Sequence, residues 1–215
     1  MALLVNEIFY SIQGESSYAG RPCVFVRLTG CNLRCSYCDT RYAYEDGCKM
    51  AIDEVVSAVM RIRCPLVEVT GGEPLIQKET PVLIQKLLDR NCQVLLETNG
   101  SWDIGIINER CVRIVDIKCP SSGEHNQNTW ENMNRLTAQD EVKFVMADRA
   151  DYEYAKNVVK YLRQMQVKTE ILHFSPVFGQ LDPRELASWM LEDRVTARLQ
   201  LQLHKIIWDP DQRGI

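Results

Sequence analysis

Gly30-Cys31-Asn32-Leu33-Arg34-Cys35-Ser36-Tyr37-Cys38-Asp39-Thr40, called the cysteine loop below, carries three cysteines at the spacing C-x3-C-x2-C. Thiolates bind soft metals and iron-sulfur clusters, and a cubane [4Fe-4S] cluster ordinarily takes four cysteines. Three close cysteines would leave one iron of such a cluster without a protein ligand. The stretch therefore indicates an iron at which chemistry can take place.

A structural zinc site is the alternative interpretation of these cysteines. Zinc in such a site is tetrahedral and closed, so a fourth ligand is needed, and Cys48 is the nearby candidate. The histidines, His125, His173 and His204, lie far downstream, and the second C-x2-C pair of a zinc ribbon is absent from the loop. The ligand count favours a cluster over zinc.

The size and composition of the chain predict one ordinary globular domain over residues 1–215. The chain is 46% hydrophobic, without a basic amino-terminal leader or a run of ~18 apolar residues, so we expect no membrane span. Nine cysteines without paired spacing favour a reducing, cytoplasmic compartment. A net charge of -4 argues against non-specific contact with nucleic acid, which needs clustered Lys and Arg.

Alternating strand and helix patterns predict the fold. Six apolar runs of strand length span 23–28, 66–70, 93–97, 112–117, 141–146 and 169–174. Helical periodicity covers 52–62, 80–89 and 152–165, whereas 101–110 and 121–140 are too short or too polar for full helices. Such alternation gives parallel strands with right-handed crossovers. Six units are too few to close an eight-stranded barrel, so we predict an α/β fold, an open partial (β/α)6 barrel with some helices short or missing.

Distinctive residues follow four of these strands. In barrels of this kind function gathers in the loops after the carboxyl ends of strands. The cysteine loop, Gly71-Gly72-Glu73-Pro74, Thr98-Asn99-Gly100 and Ser175-Pro176 all occupy that position. The glycines could let a ligand approach the backbone closely, although a plain turn is the alternative for a glycine pair alone. A zinc module would not predict this arrangement.

The cysteine spacing, with an aromatic residue before the last cysteine, resembles the cluster motif of radical S-adenosylmethionine (SAM) enzymes. In that family SAM chelates the free iron and is cleaved by one electron to a radical that takes hydrogen from a substrate. The resemblance implies a partial barrel of the radical SAM type and Cys31, Cys35 and Cys38 as cluster ligands. It implies that SAM contacts Tyr37, Cys38, Asp39, Gly72, Glu73, Lys118, Cys119, Pro120, Ser175, Pro176, Val177 and Phe178.

A narrower resemblance rests on several motifs together. Ile-Gln-Gly-Glu at 12–15, Gly-Cys-Asn-Leu-Arg-Cys, Cys-Asp-Thr, Thr-Gly-Gly-Glu-Pro, Glu-Thr-Asn-Gly and the late Leu-Gln-Leu-His-Lys are similar to the 7-carboxy-7-deazaguanine synthase family. The similarity implies a lyase that converts 6-carboxy-5,6,7,8-tetrahydropterin to 7-carboxy-7-deazaguanine with loss of ammonia, on the route to queuosine and related 7-deazaguanines, and hence to tRNA modification. SAM is regenerated there as a cofactor.

The same resemblance implies the substrate and magnesium contacts. Thr40 matches the magnesium position, and a hydroxyl oxygen suits that hard cation. The pterin contacts fall on Ile12, Gln13, Gly14, Arg27, Thr70 and His204, the last expected on a final strand. Arg27 would grip the substrate carboxylate, since a guanidinium forms two parallel hydrogen bonds with it. The alternative is an ordinary surface arginine.

Other functions and partners remain open from the sequence. A glycyl-radical-activating enzyme shares the cysteine spacing but needs a groove for a protein, and an iron-sulfur electron carrier has no use for the glycine motif. The family resemblance suggests flavodoxin or ferredoxin as electron donor and a homodimer as the assembly. In some relatives the chain terminus reaches the substrate, which leaves Pro210 and Ile215 as candidates here.

Overall fold

Nine strands form one sheet in the computed structural model, which describes residues 1–210 and 212–214. The candidate Ile215 lies outside the described residues. The strands are β1 (Ala2–Ile12), β2 (Pro22–Leu28), β3 (Cys48–Ala51), β4 (Leu66–Gly71), β5 (Gln93–Thr98), β6 (Val112–Asp116), β7 (Glu141–Met146), β8 (Ile171–Pro176) and β9 (Arg198–Leu199). Their order in the sheet is β3-β1-β2-β4-β5-β6-β7-β8-β9.

The six predicted strands correspond to β2 and β4 to β8, and each pairs in parallel with its neighbour. Their carboxyl ends therefore lie at one edge of the sheet. The sheet does not close on itself. The prediction of an open, partial barrel is confirmed.

Five α-helices occur among the described residues: α1 (Ile52–Ile62), α2 (Thr80–Asp89), α3 (Arg149–Gln164), α4 (Pro183–Glu192) and α5 (His204–Ile207). The bounds of α1 and α2 are those predicted. The start of α3 was placed too late, because Asp148 accepts a hydrogen bond from the Asp151 N–H and caps the helix earlier. In the described part of the chain, no helix is long and apolar enough to cross a membrane.

Two crossovers hold only 3-10 turns, as expected from their polar sequences. These turns are Ile104–Ile106, Pro120–Ser122, His125–Gln127 and Trp130–Arg135. The crossovers between β5, β6 and β7 therefore consist of short turns in place of α-helices.

The sequence interpretation missed α4, although Asp182 and Pro183 form a typical helix start. The Asp182 side chain accepts a hydrogen bond from the Arg184 N–H.

Strands β1, β3 and β9 were not predicted. β1 lies antiparallel between β3 and β2, and its register shifts between Val5 and Glu7, where polar residues interrupt the apolar pattern. β9 is only two residues long. Long-range pairing, rather than local sequence, makes these segments strands.

The two faces of the parallel strands carry different residues because side chains alternate along a strand. In β4, Val67 and Val69 belong to the main core, whereas Glu68 and Thr70 line the interior cavity. Near the start of the strands the interior is apolar, with a cluster of Cys23, Phe25, Leu66, Leu95, Val112 and Ile114. The interior thus changes from apolar to charged toward the carboxyl edge.

Candidate active site

A cavity of about 800 Å³ lies at the carboxyl edge of the sheet. Loops after the parallel strands, the β1–β2 loop (residues 13–21) and the carboxyl-terminal residues form its walls. The cavity gathers these sequence-predicted residues: Ile12, Gln13, Gly14, Arg27, Cys31, Cys35, Tyr37, Cys38, Asp39, Thr40, Thr70, Gly72, Lys118, Val177, Phe178, His204 and Pro210. All six predicted substrate residues are among them.

The three cysteines of the motif are half-buried and line this cavity. Burial raises the pKa of Cys31, and it raises the pKa of Cys35 to about 11, against the pull of the Lys118 ammonium. Arg34 holds the loop by donating to the carbonyls of Cys31 and Leu33, both at 2.8 Å. Iron ions bound to the thiolates would stabilise their negative charge in place of the water that burial removes.

The donor set fits a cluster better than a single metal ion. Among the described residues, no three His, Cys, Asp or Glu side chains converge closely enough to hold one ion. A cubane does not need such convergence, because each cysteine binds a different iron. Cys48, the fourth ligand of the zinc alternative, lies exposed on β3.

The double glycine allows two loops to pack against each other. A Cβ on Gly71, where φ is +148°, would lie 2.1 Å from the carbonyl oxygen of Leu28. A Cβ on Gly72 would lie 2.3 Å from the carbonyl oxygen of Gly30. Gly71 therefore admits the end of β2 and Gly72 admits the cysteine loop as close neighbours, whereas the sequence interpretation assigned the close approach to a ligand.

Glu73 lies behind the cavity rather than on its wall. Its side chain is fully buried and accepts hydrogen bonds from the N–H groups of Leu75 and Asn99 and from the Thr98 hydroxyl. Burial raises the pKa of Glu73 to about 7, although these donors oppose the shift. The carboxyl group ties the loops after β4 and β5 together.

Other predicted SAM residues also lie off the wall. Cys119, Pro120, Ser175 and Pro176 do not line the cavity, because Ser175 and Pro176 are buried in β8 and Cys119 is fully buried. The turn that follows Cys119 supports the cysteine loop from behind: the carbonyls of Ser121 and Ser122 accept from the hydroxyl and N–H of Ser36.

A buried charge network occupies the opposite side of the cavity. The Lys143 ammonium lies 2.8 Å from the Glu15 carboxylate, pairs with Glu97 and lies 4.0 Å from Asp116. Burial opposes the charge on Lys143, but these carboxylates outweigh it and raise its pKa well above the ordinary value. Burial likewise opposes ionisation of Glu15, yet Lys143 lowers the pKa of Glu15 to about 2. Both groups are charged at neutral pH.

The Gln13 amide is used within the protein. It donates to the buried Glu68 carboxyl group, and its oxygen accepts from the Glu15 N–H at 3.1 Å. The Gln13 backbone also pairs with Arg21 and Gly20 across the β1–β2 loop. Burial, and then the nearby Glu97 and Glu15, raise the pKa of Glu68 well above its ordinary value. The Gln13 side chain thus fixes the loop that carries Glu15.

Arg27 is not the surface residue of the alternative interpretation. Its side chain is 16% exposed, and its Nε donates to Glu7 at 2.8 Å. The guanidinium lies against the rings of Phe9 and Tyr42, at 5.7 and 5.8 Å. Arg27 lines the cavity, and the bond from its Nε to Glu7 orients the guanidinium there.

His204 begins the short helix α5, which corrects the expectation that it lies on a last strand. The ring packs against Gly14, where a Cβ would lie 2.2 Å from the His204 Nδ1. Burial lowers the pKa of His204, although Glu15 opposes the shift. Gly14 therefore leaves the space that the histidine ring fills.

Several cavity residues were not selected from the sequence: Glu15, Glu68, Glu97, Thr98, Asn99, Asp116, Lys143, Gln202 and Lys205. For the strand residues a signal exists. Charged side chains at alternate positions of otherwise apolar strands, such as Lys143 between Val142 and Phe144, must point into the barrel interior. Gln202 and Lys205 belong to the Leu-Gln-Leu-His-Lys motif on which the family resemblance rests, but only its His204 was assigned a contact.

Known proteins with similar sequences or folds point to one family. The profile of the Radical SAM superfamily matches residues 25–190. A 7-carboxy-7-deazaguanine synthase of Chlorobaculum tepidum is 50% identical, with 99% of this chain and 97% of the relative covered. One from Koribacter versatilis is 44% identical, with 98% and 99% covered. The crystal structure of QueE from Escherichia coli shares the fold, with a TM-score of 0.80, 21% identity and 95% of each chain covered.

Proposed function

The chain belongs to the 7-carboxy-7-deazaguanine synthase family of the radical SAM superfamily, and we propose that one cavity holds both its cofactors and its substrate. The enzyme is a lyase that contracts 6-carboxy-5,6,7,8-tetrahydropterin to 7-carboxy-7-deazaguanine with loss of ammonia. The observation that carries this function is the identity of half the residues with a synthase of that name over 99% of the chain.

Cys31, Cys35 and Cys38 would hold the [4Fe-4S] cluster at the cavity wall. When bound, the cluster and SAM supply a radical that takes hydrogen from the substrate. The protein residues on this side would bind the cluster and SAM and shield them from water. Tyr37 is fixed by donating from its hydroxyl to the Val145 carbonyl at 3.1 Å, which leaves its ring beside the cysteines as a surface for the adenine.

The opposite side fits the pterin by its chemistry. A pterin presents a planar edge of donors and acceptors and a carboxylate. The carboxylates of Glu15 and Glu97 can accept from that edge, and both pair with Lys143. Arg27, oriented by Glu7, supplies two terminal nitrogens to the substrate carboxylate. The arrangement supports a small-molecule substrate rather than the protein substrate of a glycyl-radical-activating enzyme.

Thr40 supports a magnesium site at the rim of the cysteine loop. Its hydroxyl donates to Asp39 at 2.9 Å, so the lone pairs of Oγ1 remain for a cation. Magnesium keeps several waters and needs few protein ligands. The substrate and water would complete the coordination.

We further infer a single domain over residues 1–215, a homodimer, and flavodoxin or ferredoxin as the source of the electron. The nine cysteines are all free, which suits a reducing, cytoplasmic compartment. A small acidic protein of this kind has no need to contact nucleic acid directly.

The test is anaerobic reconstitution with iron and sulfide, followed by SAM, dithionite, magnesium and the carboxylated pterin. We expect 7-carboxy-7-deazaguanine by mass spectrometry, with SAM recovered. Formation of 5'-deoxyadenosine without the deazaguanine would keep the radical SAM chemistry and reject this substrate. Formation of neither would reject both.

A further inference from the structure

The C-terminal segment, residues 200–210, forms one wall of the cavity with little regular structure of its own. Its helix α5 has four residues, and the preceding strand β9 ends at Leu199. Ile206 and Ile207 are 61% and 49% exposed, so apolar burial does not hold them in place. The position of the segment must depend on its polar contacts.

One group of contacts joins the segment to the β1–β2 loop. The Gln200 side chain accepts from the Ser16 N–H at 2.7 Å and donates to Glu15 at 3.2 Å. Gln202 donates to the other oxygen of Glu15 at 3.0 Å, and the Leu203 N–H donates to the Gly14 carbonyl at 3.0 Å. These contacts stay within the substrate side of the cavity.

A second group crosses to the cysteine loop. The Lys205 ammonium lies 2.5 Å from the carboxylate of Asp39, the residue that follows Cys38. The Gln202 amide donates to the same oxygen at 3.3 Å, and the other oxygen of Asp39 accepts from the Thr40 hydroxyl. The Lys205 side chain is 10% exposed and that of Asp39 is 48% exposed, so solvent screens this ion pair from the Asp39 end only.

We propose that Lys205 is a positioning residue. By holding Asp39, it couples the position of the C-terminal segment, which forms the wall on the proposed substrate side, to the order of the cysteine loop. The inference rests on the proposed function, since that function assigns the loop to the cluster and the wall to the pterin. Coupling between two sites is reciprocal. Cofactors that order the cysteine loop should therefore stabilise the C-terminal segment, which lies on the far side of the ion pair.

Hydrogen exchange tests the coupling without any pterin. Apoprotein and protein reconstituted with the cluster and SAM would be compared by mass spectrometry over peptides covering 200–210. We expect slower exchange in the reconstituted enzyme than in the apoprotein. In reconstituted Lys205→Met the same peptides should exchange about tenfold faster than in the reconstituted unmodified enzyme, equivalent to ~1.4 kcal/mol. Lys205→Arg keeps the charge and should retain protection.

Lys156→Met is the matched control, because Lys156 pairs with Asp193 on the outer surface at 2.6 Å. It should leave exchange in 200–210 unchanged. Peptides of α2 report whether each variant is folded. In turnover, Lys205→Met should raise the KM for the pterin, and Lys205→Arg should restore it.

The outcomes separate this proposal from the proposed function. Equal exchange in the apoprotein and the reconstituted protein, or full protection in Lys205→Met, would overturn the coupling whatever the substrate is. Protection that depends on Lys205 in a protein that leaves the pterin unchanged would support the coupling and reject the substrate assignment.

Discussion

The two sides of the cavity are held together in different ways. On the proposed cofactor side, Gly72 packs on the cysteine loop and Gly71 packs on Leu28 of β2, through backbone contacts that no larger residue would allow. On the substrate side, Lys143 joins Glu15 and Glu97, which are 128 and 46 positions away in the sequence. Backbone packing positions a loop, whereas the charge network positions the carboxylates that we propose bind the substrate. The difference predicts that a substitution on one side impairs the role of that side and leaves the role of the other side intact.

The largest effect should follow loss of a cluster cysteine. Alanine at Cys31, Cys35 or Cys38 leaves a second iron without a thiolate, so we expect SAM cleavage to be abolished. Assay of 5'-deoxyadenosine and of iron content measures this. Cys48→Ala is the control, because zinc would need that thiol and a cluster would not. The zinc alternative would be supported if the Cys48 variant lost its metal while any of the other three variants kept its activity.

The next effect concerns the stability of the substrate side. Lys143→Met leaves buried carboxylates without their cation, which should lower the free energy of unfolding by about 3–5 kcal/mol. Lys86→Met is the matched control, since the Lys86–Asp53 pair is exposed and should contribute less than about 1 kcal/mol. Urea unfolding of both variants gives the comparison. Similar losses in the two would mean that the interior network is no more important than a surface pair.

Arg27 tests how the substrate carboxylate is read. Alanine removes charge and fork together and should weaken pterin binding by about 2–5 kcal/mol, with lysine intermediate because it keeps only the charge. Uncoupled SAM cleavage should continue, since the cluster side is separate. Arg184→Ala, at an exposed pair with Asp182, serves as control. Pterin affinity within about threefold of the original, a change of ~0.65 kcal/mol, would remove the assignment.

The fold and the place of the cysteine loop at the cavity could be predicted from the sequence because their signals are local. The predicted runs end at Leu28, Thr70 and Glu97, each within one residue of the end of β2, β4 or β5, and the cysteine spacing is itself a ligand pattern. The buried position of Glu73 could not be predicted, since a carboxylate beside two glycines gives no sign of whether it lines a cavity or ties two loops together. The Lys205–Asp39 pair joins residues 166 positions apart, so only the fold brings them together.

The smallest effect is expected at Thr40. Thr40→Ala removes one oxygen from a site that water and substrate otherwise complete, so magnesium stimulation of turnover should weaken without disappearing. Cluster content and SAM cleavage should be unchanged. A magnesium titration identical to that of the unmodified enzyme would make Thr40 a structural residue that only donates to Asp39.

Transfer of deuterium from the substrate tests most directly whether the two sides form one active site. The pterin would be labelled at C6, the position from which this family's radical takes hydrogen, and incubated with reconstituted enzyme, SAM and dithionite. We predict deuterium in the recovered SAM and in 5'-deoxyadenosine, because both ligands share one cavity. Formation of the deazaguanine with SAM and 5'-deoxyadenosine both unlabelled would contradict a shared cavity.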